Sequence, residues 1–279
     1  MLASIVIPRG FKRGTHVAVF LFIASPAFAL RIVSLLPSNT EIVEALGAGD
    51  ELVGVSSYDR IPPGSSRVNV GDLLNPQWEI LVSLHPDLVL VGHWASSPAA
   101  ARLRALHIPM VEIPHPQTMA ALYDSIRQMA KAIHRPAADA DRVIAGMQKR
   151  FAALAKAHAG RPKRTVYIEI DPPTWTVGAD DYLNDGFAAL GLTNAFRDVP
   201  RLSVEVSVES ILQKNPDVII VLQDRAEAVA RRPGWSGIRA VQNRWIIDDV
   251  NANDLARPSP RLLDGLEQLN RRLHALGVS

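Results

Sequence analysis

Residues 79–91 read EILVSLHPDLVLV, and residues 209–221 read ESILQKNPDVIIV. Each stretch has a glutamate, six intervening residues, the pair Pro-Asp and then a run of aliphatic residues. Since proline cannot continue a helix, Pro86 and Pro216 mark helix ends. The aliphatic runs lack polar alternation, which is typical of parallel strands covered on both faces. The repeat therefore predicts the same helix–turn–strand unit in two similar α/β lobes, with a ligand cleft between them.

The length and composition allow one large core or two modest ones, because the chain has 279 residues and 48% of them are hydrophobic. The pattern of elements predicts an N-terminal α/β lobe over residues 30–118, a helical bridge over residues 119–160 and a C-terminal α/β lobe over residues 161–279. Within the bridge, residues 136–159 form one helical pattern that spans ~35 Å. A stiff helix resists bending, so we expect a mostly preformed cleft that closes little.

The first 29 residues have the pattern of a cleavable secretory signal peptide. Three basic residues precede an apolar segment at residues 17–24, and a small-x-small cleavage pattern ends at Ala29. The apolar segment is shorter than the ~20 residues that a bilayer requires, so an uncleaved anchor is the less favoured alternative. We expect a mature chain that begins near residue 30, lies in the periplasm and does not insert stably into a membrane.

Charge and cysteine content exclude several classes of protein. Residues 1–29 hold three basic and no acidic residues, and the remaining chain has 27 basic and 28 acidic residues. A nearly neutral chain without a basic stripe does not suggest a nucleic-acid partner. The chain has no cysteine, which excludes a lipid-modified cysteine, a thiol nucleophile and a cysteine-ligated metal.

Local signals predict where two helices begin. Residues 38–41 read SNTE, the pattern of a capping box, and predict a helix that starts there and ends at Gly47. Asn75 followed by Pro76 predicts the start of the helix that holds Glu79.

Three stretches resemble periplasmic cobalamin-binding proteins, the receptors of vitamin-import ABC transporters within the class III, helical-backbone receptors for metals and siderophores. They are residues 31–63 (RIVSLLPSNTEIVEALGAGDELVGVSSYDRIPP), residues 171–178 (DPPTWTVG) and residues 257–269 (RPSPRLLDGLEQL). The resemblance covers nearly the whole chain after the signal peptide. It implies two doubly wound α/β lobes joined by a long helix, a corrinoid in the cleft and no catalysis. Cobalamin is then the transported ligand, and no cofactor is expected.

The candidate ligand-binding residues follow the carboxyl ends of predicted strands, where open α/β sheets bind their ligands. The resemblance assigns Tyr58, Trp175 and Arg257 to the cleft. Aromatic faces suit a broad apolar corrin ring, and the arginine fork reaches amide or phosphate oxygens. The alternative is that the two aromatics pack between the lobes and that the arginine pairs with a local carboxylate. The full set is Pro37, Ser38, Asn39, Tyr58, Leu73, His93, Trp94, Trp175, Asn253 and Arg257.

Two departures from the cobalamin receptors bear on the choice of ligand. Leu73 stands where they often have a tryptophan, and Asn253 with Asp254 stands where they have Asp-Trp. We expect His93 and Trp94 to compensate from a neighbouring strand end. The departures leave another corrinoid, a siderophore or heme open as the ligand.

Glu79 and Glu209 occupy equivalent positions in the repeat. An acid in the first turn of a helix is favoured by the helix dipole alone. The resemblance implies in addition that each glutamate docks onto arginines of one subunit of a permease dimer, which a pseudo-two-fold pair of anions suits.

Metal binding and catalysis are weakly supported. The chain has eight histidines, none at the H-x-x-x-H spacing, so no dedicated metal site is predicted. It also lacks the G-x-S-x-G, Walker, G-x-G-x-x-G and HExxH motifs. An exported α/β hydrolase that uses Asp59, His93 and Asp254 as an acid/base set remains the remote alternative to a receptor without enzymatic activity.

Overall fold

The computed structural model describes residues 30–92 and 98–278. The predicted signal peptide lies outside the described residues, as do His93 and Trp94.

The N-terminal lobe is built on a parallel sheet of five strands in the order β3-β2-β1-β4-β5. The sheet order reverses between β1 and β4, and such a reversal opens a crevice at the carboxyl ends of the two strands. Both strands are completely buried, which explains their unbroken aliphatic sequences. The strands are β1 (Ile32–Ser34), β2 (Leu52–Val55), β3 (Val68–Asn69), β4 (Leu88–Gly92) and β5 (Met110–Ile113), and the helices are α1 (Pro37–Ala45), α2 (Trp78–Ser83) and α3 (Pro98–Ala105).

Two helices lead from the first lobe to the second. They are α4 (Met119–Ala132) and α5 (Ala137–Ala157), and the chain turns between them at His134, whose φ is 57°. Helix α5 has 21 residues and is therefore ~31 Å long. It packs against α4 and also against helices of the second lobe, so it bridges the two lobes.

The C-terminal lobe has a parallel sheet of four strands in the order β11-β10-β6-β8 and a small antiparallel pair formed by β7 and β9. Its strands are β6 (Arg164–Glu169), β7 (Trp175–Val177), β8 (Leu192–Asn194), β9 (Ser203–Glu205), β10 (Val218–Val221) and β11 (Ile246–Ile247). Its helices are α6 (Leu183–Ala189), α7 (Val208–Lys214), α8 (Ala226–Ala230), α9 (Arg239–Gln242), α10 (Ala252–Ala256) and α11 (Leu262–Ala275). The predicted fold class, two α/β lobes joined by a helical bridge, is confirmed.

One hydrophobic core is common to both lobes. It begins with Ile32 and Leu90 of the first sheet, continues through Met129 and Ile144 of the two bridging helices, and reaches Leu266 of α11. Two smaller hydrophobic clusters lie on the outer sides of the sheets, one on each sheet. The lobes are thus joined by packed side chains as well as by the chain itself.

The repeat has the same local geometry in both lobes. His85 (φ 43°) and Asn215 (φ 44°) both take the left-handed conformation that ends α2 and α7. The aspartate of each Pro-Asp pair then accepts a hydrogen bond from the backbone N–H of a neighbouring chain segment: Asp87 Oδ2 from Arg31, and Asp217 Oδ2 from Thr165, each over 2.8 Å. Asp87 therefore links the start of β4 to the start of β1, and Asp217 links the start of β10 to β6.

The predicted helix starts need correction, and α1 ends at Ala45 with Leu46 as its C-cap, so Gly47 follows the cap instead of forming it. Helix α1 begins at Pro37, because the fixed φ of proline already suits the first helical position. Leu36 occupies the N-cap without a side-chain hydrogen bond. Likewise α2 begins at Trp78, and neither Asn75 nor Pro76 lies within it or caps it. At the other end of α1, Gly47 has a φ of 75°, as the residue after a helix end often does.

Candidate functional site

The crevice between β1 and β4 contains a small enclosed cavity. Ser38, Asn39 and His115 of the first lobe line it together with Ser125 of the bridging helix α4, and Pro258 of the second lobe covers one side. Its volume of about 40 Å³ holds one or two water molecules. A cavity of this volume is too small to enclose a ligand of corrinoid size.

Of the three predicted residues at the start of α1, Ser38 and Asn39 line this cavity and Pro37 does not. Pro37 and Asn39 are buried, and Ser38 is half-buried. Asn39 Nδ2 lies 3.4 Å from the backbone oxygen of Val91, so its amide links α1 to β4.

Two large aromatic side chains are left exposed near strand ends, one in each lobe. Tyr58 follows β2 and is 69% exposed, and Trp175 opens β7 and is 39% exposed. The backbone of the Trp175 loop is fixed by hydrogen bonds from Trp175 N to Asp171 O (3.0 Å) and from Ile170 N to Trp175 O (2.9 Å). The predicted alternative, aromatics packed between the lobes, does not fit their exposure.

A charged network that the sequence reasoning missed lies beneath the Trp175 loop. Arg232 donates two hydrogen bonds to the buried carboxylate of Glu169, over 2.6 and 2.7 Å, and a third to Asp224 over 2.7 Å. It also donates to the backbone oxygen of Pro173 over 3.2 Å. Burial and the neighbouring Glu169 raise the pKa of Tyr167, which donates to that carboxylate. The network attaches the loop to the end of β6.

Arg257 connects the two lobes at the cleft. Its Nη1 lies 2.9 Å from Glu41 Oε1, and its Nη2 lies 3.0 Å from the backbone oxygen of Tyr58. Ser259 donates to the second oxygen of Glu41 over 2.5 Å. The alternative in which Arg257 pairs with a carboxylate thus describes this conformation, but the carboxylate belongs to the opposite lobe.

Asp59 is a half-buried carboxyl group beside this connection. It accepts hydrogen bonds from Thr40 Oγ1 (3.1 Å) and from the backbone N–H of Ser56 (3.0 Å). Burial raises the pKa of Asp59 to about 6, and the nearby Glu41 adds to the rise while Arg257 and the two hydrogen bonds oppose it.

The prediction for Leu73 needs correction. Leu73 is 3% exposed and packs into the apolar cluster on one side of the first sheet, whereas the next residue, Leu74, is 62% exposed. A side chain buried in this way is unsuited to contact a ligand. Leu74 is the apolar side chain that this loop presents to solvent.

Asn253 and Asp254 lie on the short helix α10 rather than on a strand end. Asn253 is exposed. Asp254 is buried and accepts from Arg261 (3.0 Å) and Gln268 (3.1 Å), both within its own lobe. Asp59 has its own separate partners, so the geometry does not bring these two acids together as the acid/base set of a hydrolase.

A second contact between the lobes, also missed by the sequence reasoning, involves His115. Its Nε2 lies 3.3 Å from Asp181 Oδ2, and its ring stacks at a tilt on Tyr182, with the ring centres 5.4 Å apart. The backbone N–H of Met119 donates to Asp185 over 2.8 Å in the same region. These partners are more than 60 positions apart in the sequence, so local patterns carry no signal for them.

Glu79 and Glu209 are both exposed and stand at the second position of α2 and α7. Helix α7 is also capped by Ser207, whose Oγ accepts from the backbone N–H of Ser210 over 3.1 Å. Exposed apolar side chains adjoin both glutamates, namely Val82 and Val208. The two anions are therefore accessible to a partner.

Within residues 30–92 and 98–278, no group of three or more histidines, aspartates or glutamates is arranged to hold a metal ion. In the same part of the chain, none of the helices combines the length and the apolar character that crossing a bilayer requires.

Residues 32–251 match the model of the family described as periplasmic binding protein. Because this match covers more than half of the chain, the chain belongs to that family. The resemblance to receptors of ABC transporters is thereby confirmed, and the coarse class of the protein is that of a solute-binding component of such a transporter. This membership supports a location outside the cytoplasm.

Three relatives illustrate the range of the family. The uncharacterized ABC transporter substrate-binding lipoprotein YvrC of Bacillus subtilis is 34% identical over 254 residues, which cover 88% of this chain and 80% of the relative. A vitamin B12-binding protein of Vibrio cholerae is 31% identical over 262 residues, which cover 90% and 93% of the two chains. The solved structure of the periplasmic heme-binding protein RhuT from Roseiflexus gives a TM-score of 0.75 at 27% identity and covers 89% of this chain and 99% of the other. The names of the last two state different ligands, vitamin B12 and heme.

Proposed function

We propose that this protein binds a corrinoid, with cobalamin as the leading candidate, and delivers it to an ABC importer without catalysing a reaction. The observation that carries the proposal is the exposure of Tyr58 and Trp175 near strand ends of two different lobes, with Arg257 beside the first of them. The 31% identity to a vitamin B12-binding protein over 90% of the chain supports the same choice.

The chemistry of these side chains suits a corrin ring. Its broad apolar faces pack on Tyr58 and Trp175, and Arg257 still has N–H groups to direct at the amides or the phosphate at the ring edge. We extend the proposed site to Leu74 in place of Leu73. His93 and Trp94, together with Pro37, Ser38, Asn39 and Asn253, stay in the proposed site as predictions from the sequence.

Heme is the second candidate, because an apolar leucine side chain stands in the loop where cobalamin receptors often have a tryptophan. The likeness to a solved heme-binding protein gives it further support. A flat macrocycle with two acidic side chains also suits two aromatic faces and an arginine. A ferric siderophore is the third ligand class to test.

The test is calorimetry and visible absorption of the purified protein with cyanocobalamin, dicyanocobinamide, hemin and ferrichrome. We expect a corrinoid to bind about one-to-one with Kd between nanomolar and micromolar, that is roughly −8 to −12 kcal/mol. No heat and no spectral change with either corrinoid, together with binding of hemin or ferrichrome, would replace the corrinoid by that ligand.

We further propose that Glu79 and Glu209 dock onto the two subunits of the permease. Both are exposed anions at the same position of equivalent helices, so each lobe offers the same charge to one half of a two-fold partner.

The predicted signal peptide implies export and release into the periplasm. Fractionation of the native host and N-terminal sequencing of the protein test this: we expect a mature N-terminus near residue 30 in the periplasmic fraction.

A further inference from the structure

A polar contact between the lobes is centred on Glu41, a buried residue. Glu41 is buried within α1, and both of its carboxylate oxygens are used by the opposite lobe. Oε1 accepts from Arg257 Nη1 over 2.9 Å, and Oε2 accepts from Ser259 Oγ over 2.5 Å. Ser259 is completely buried, so the contact lies inside the molecule.

The second terminal nitrogen of the Arg257 guanidinium lies at the edge of the proposed ligand cleft. Arg257 Nη2 donates to the backbone oxygen of Tyr58, whose side chain is 69% exposed. A planar guanidinium held at two nitrogens cannot rotate, so its remaining N–H groups have fixed directions. Glu41 thereby determines the orientation of a group at the edge of the cleft.

The side chain of Glu41 does not cap helix α1. The helix begins at Pro37 without a side-chain cap, and the carboxylate of Glu41 makes no hydrogen bond to the backbone of its own helix. Taking a carboxylate out of water is costly unless charged or polar partners compensate it, and here the partners come from residues more than 200 positions away. The buried charge is therefore explained by the junction of the two lobes.

We propose that Glu41 is a positioning residue of the ligand site, which fixes Arg257 and the separation of the lobes from inside the molecule. The inference rests on the proposed function, since it concerns affinity for the proposed ligand. Loss of the contact leaves Arg257 free to turn away and allows the lobes to move apart, so part of the binding free energy must then order them again.

The test compares Glu41→Gln and Ser259→Ala with Glu44→Gln. Glu44 lies one turn further along α1 and pairs with Arg67 of its own lobe, so it is a matched control for the loss of one charge from the same helix. The probe is cyanocobalamin, and its Kd is measured by calorimetry. We expect about tenfold weaker binding for Glu41→Gln, weaker binding in the same direction for Ser259→Ala, and wild-type affinity for Glu44→Gln.

A second measurement reports lobe separation and does not require the ligand. The chain has no cysteine, so Ala105→Cys and Ala228→Cys place one spin label on an exposed position of each lobe. Distances between the labels come from pulsed electron resonance. We expect the distribution to broaden or lengthen with Glu41→Gln and to stay unchanged with Glu44→Gln. A residue that only contributed stability would lower the melting temperature and leave these distances alone.

The outcomes separate this inference from the proposed function. Affinity of Glu41→Gln equal to or tighter than that of wild type overturns the inference, whatever the distances. If the wild-type protein binds no corrinoid, the proposed function fails and the label distances alone test the inference. Identical distance distributions in Glu41→Gln and Glu44→Gln then overturn the inference. A broader distribution only in Glu41→Gln upholds it.

Discussion

Tyr58 and Trp175 are the side chains on which ligand binding is expected to depend most. Tyr58→Ala and Trp175→Ala should each weaken corrinoid binding by about 1–3 kcal/mol, because each removes a large aromatic contact from the cleft. Calorimetry measures the loss, and circular dichroism and Tm should stay close to wild type since both side chains are exposed. Leu106→Ala, an exposed apolar residue that lies just after α3, is the control. Wild-type affinity in both cleft variants would show that the ligand binds elsewhere.

Asp59 predicts a specific dependence of stability on pH. Its pKa is about 6 in the folded protein and about 3.8 in the unfolded chain, so the folded state binds the proton more tightly. The resulting stabilisation is fully present below pH ~3.8 and is lost as the pH rises to about 6. Allowing for partial exposure, we expect the urea-unfolding free energy of wild type to fall relative to Asp59→Asn by about 2 kcal/mol between pH 4 and pH 7. A constant difference between the two proteins contradicts the shift.

Part of the site is predictable from single residues and part is not. The exposed positions of Tyr58 and Trp175 follow from strand ends that are visible in the sequence, and their contact with a ligand stays a prediction. The burial of Leu73 and the exposure of Leu74 are not predictable, since tertiary packing alone decides which of two adjacent leucines is buried. Glu41 fits a local capping pattern, but its partner is Arg257, 216 positions away, and no local pattern contains that information.

The glutamates on the equivalent helices α2 and α7 are expected to dock onto the permease of the transporter. Glu79→Lys combined with Glu209→Lys should abolish association with the cognate permease in nanodiscs and stop uptake, while ligand affinity stays unchanged. Reversing both charges replaces attraction by repulsion, and any residual association should be less sensitive to salt.

The control for the docking variants is Glu227→Lys. Glu227 is also an exposed acid in the first turn of a helix of the second lobe, so its replacement imposes the same change of charge and the same loss of dipole stabilisation as each single docking substitution. Normal uptake by the double variant would reduce Glu79 and Glu209 to residues that stabilise their helices.

Replacement of a helical glycine by alanine should have opposite effects on stability in the bridging helix α5 and in α11. Gly146 is exposed within α5, and an added Cβ meets nothing within 4 Å, so Gly146→Ala should stabilise the protein by about 0.5–1 kcal/mol and raise Tm by about 2 °C. Gly265→Ala in α11 should destabilise it, because a Cβ there lies 2.9 Å from the backbone carbon of Asp254. Calorimetric melting distinguishes the two, and equal Tm shifts contradict this view of the packing.

The architecture of the molecule was largely predictable because it is built from a repeated local unit. Pro86 and Pro216 mark the helix ends, and the strands that follow pair in parallel within two separate sheets. What the repeat did not reveal is how tightly the lobes are joined. His115 with Asp181 and Arg257 with Glu41 connect the lobes by contacts of long sequence separation, and Met119 with Asp185 connects the bridge to the second lobe. The small closure expected from a stiff bridge stays a prediction, and these contacts favour it.

The hydrophobic core common to both lobes has a consequence for folding. Neither half can exclude water from its own apolar face alone, because α5 and α11 supply part of that cover to side chains of the other elements. We therefore expect one cooperative thermal transition in which the calorimetric and van't Hoff enthalpies agree. A fragment that ends at residue 118 and one that starts at residue 161 should each remain unfolded on expression. Two resolved transitions, or a folded fragment, would mean that the lobes are independent folding units.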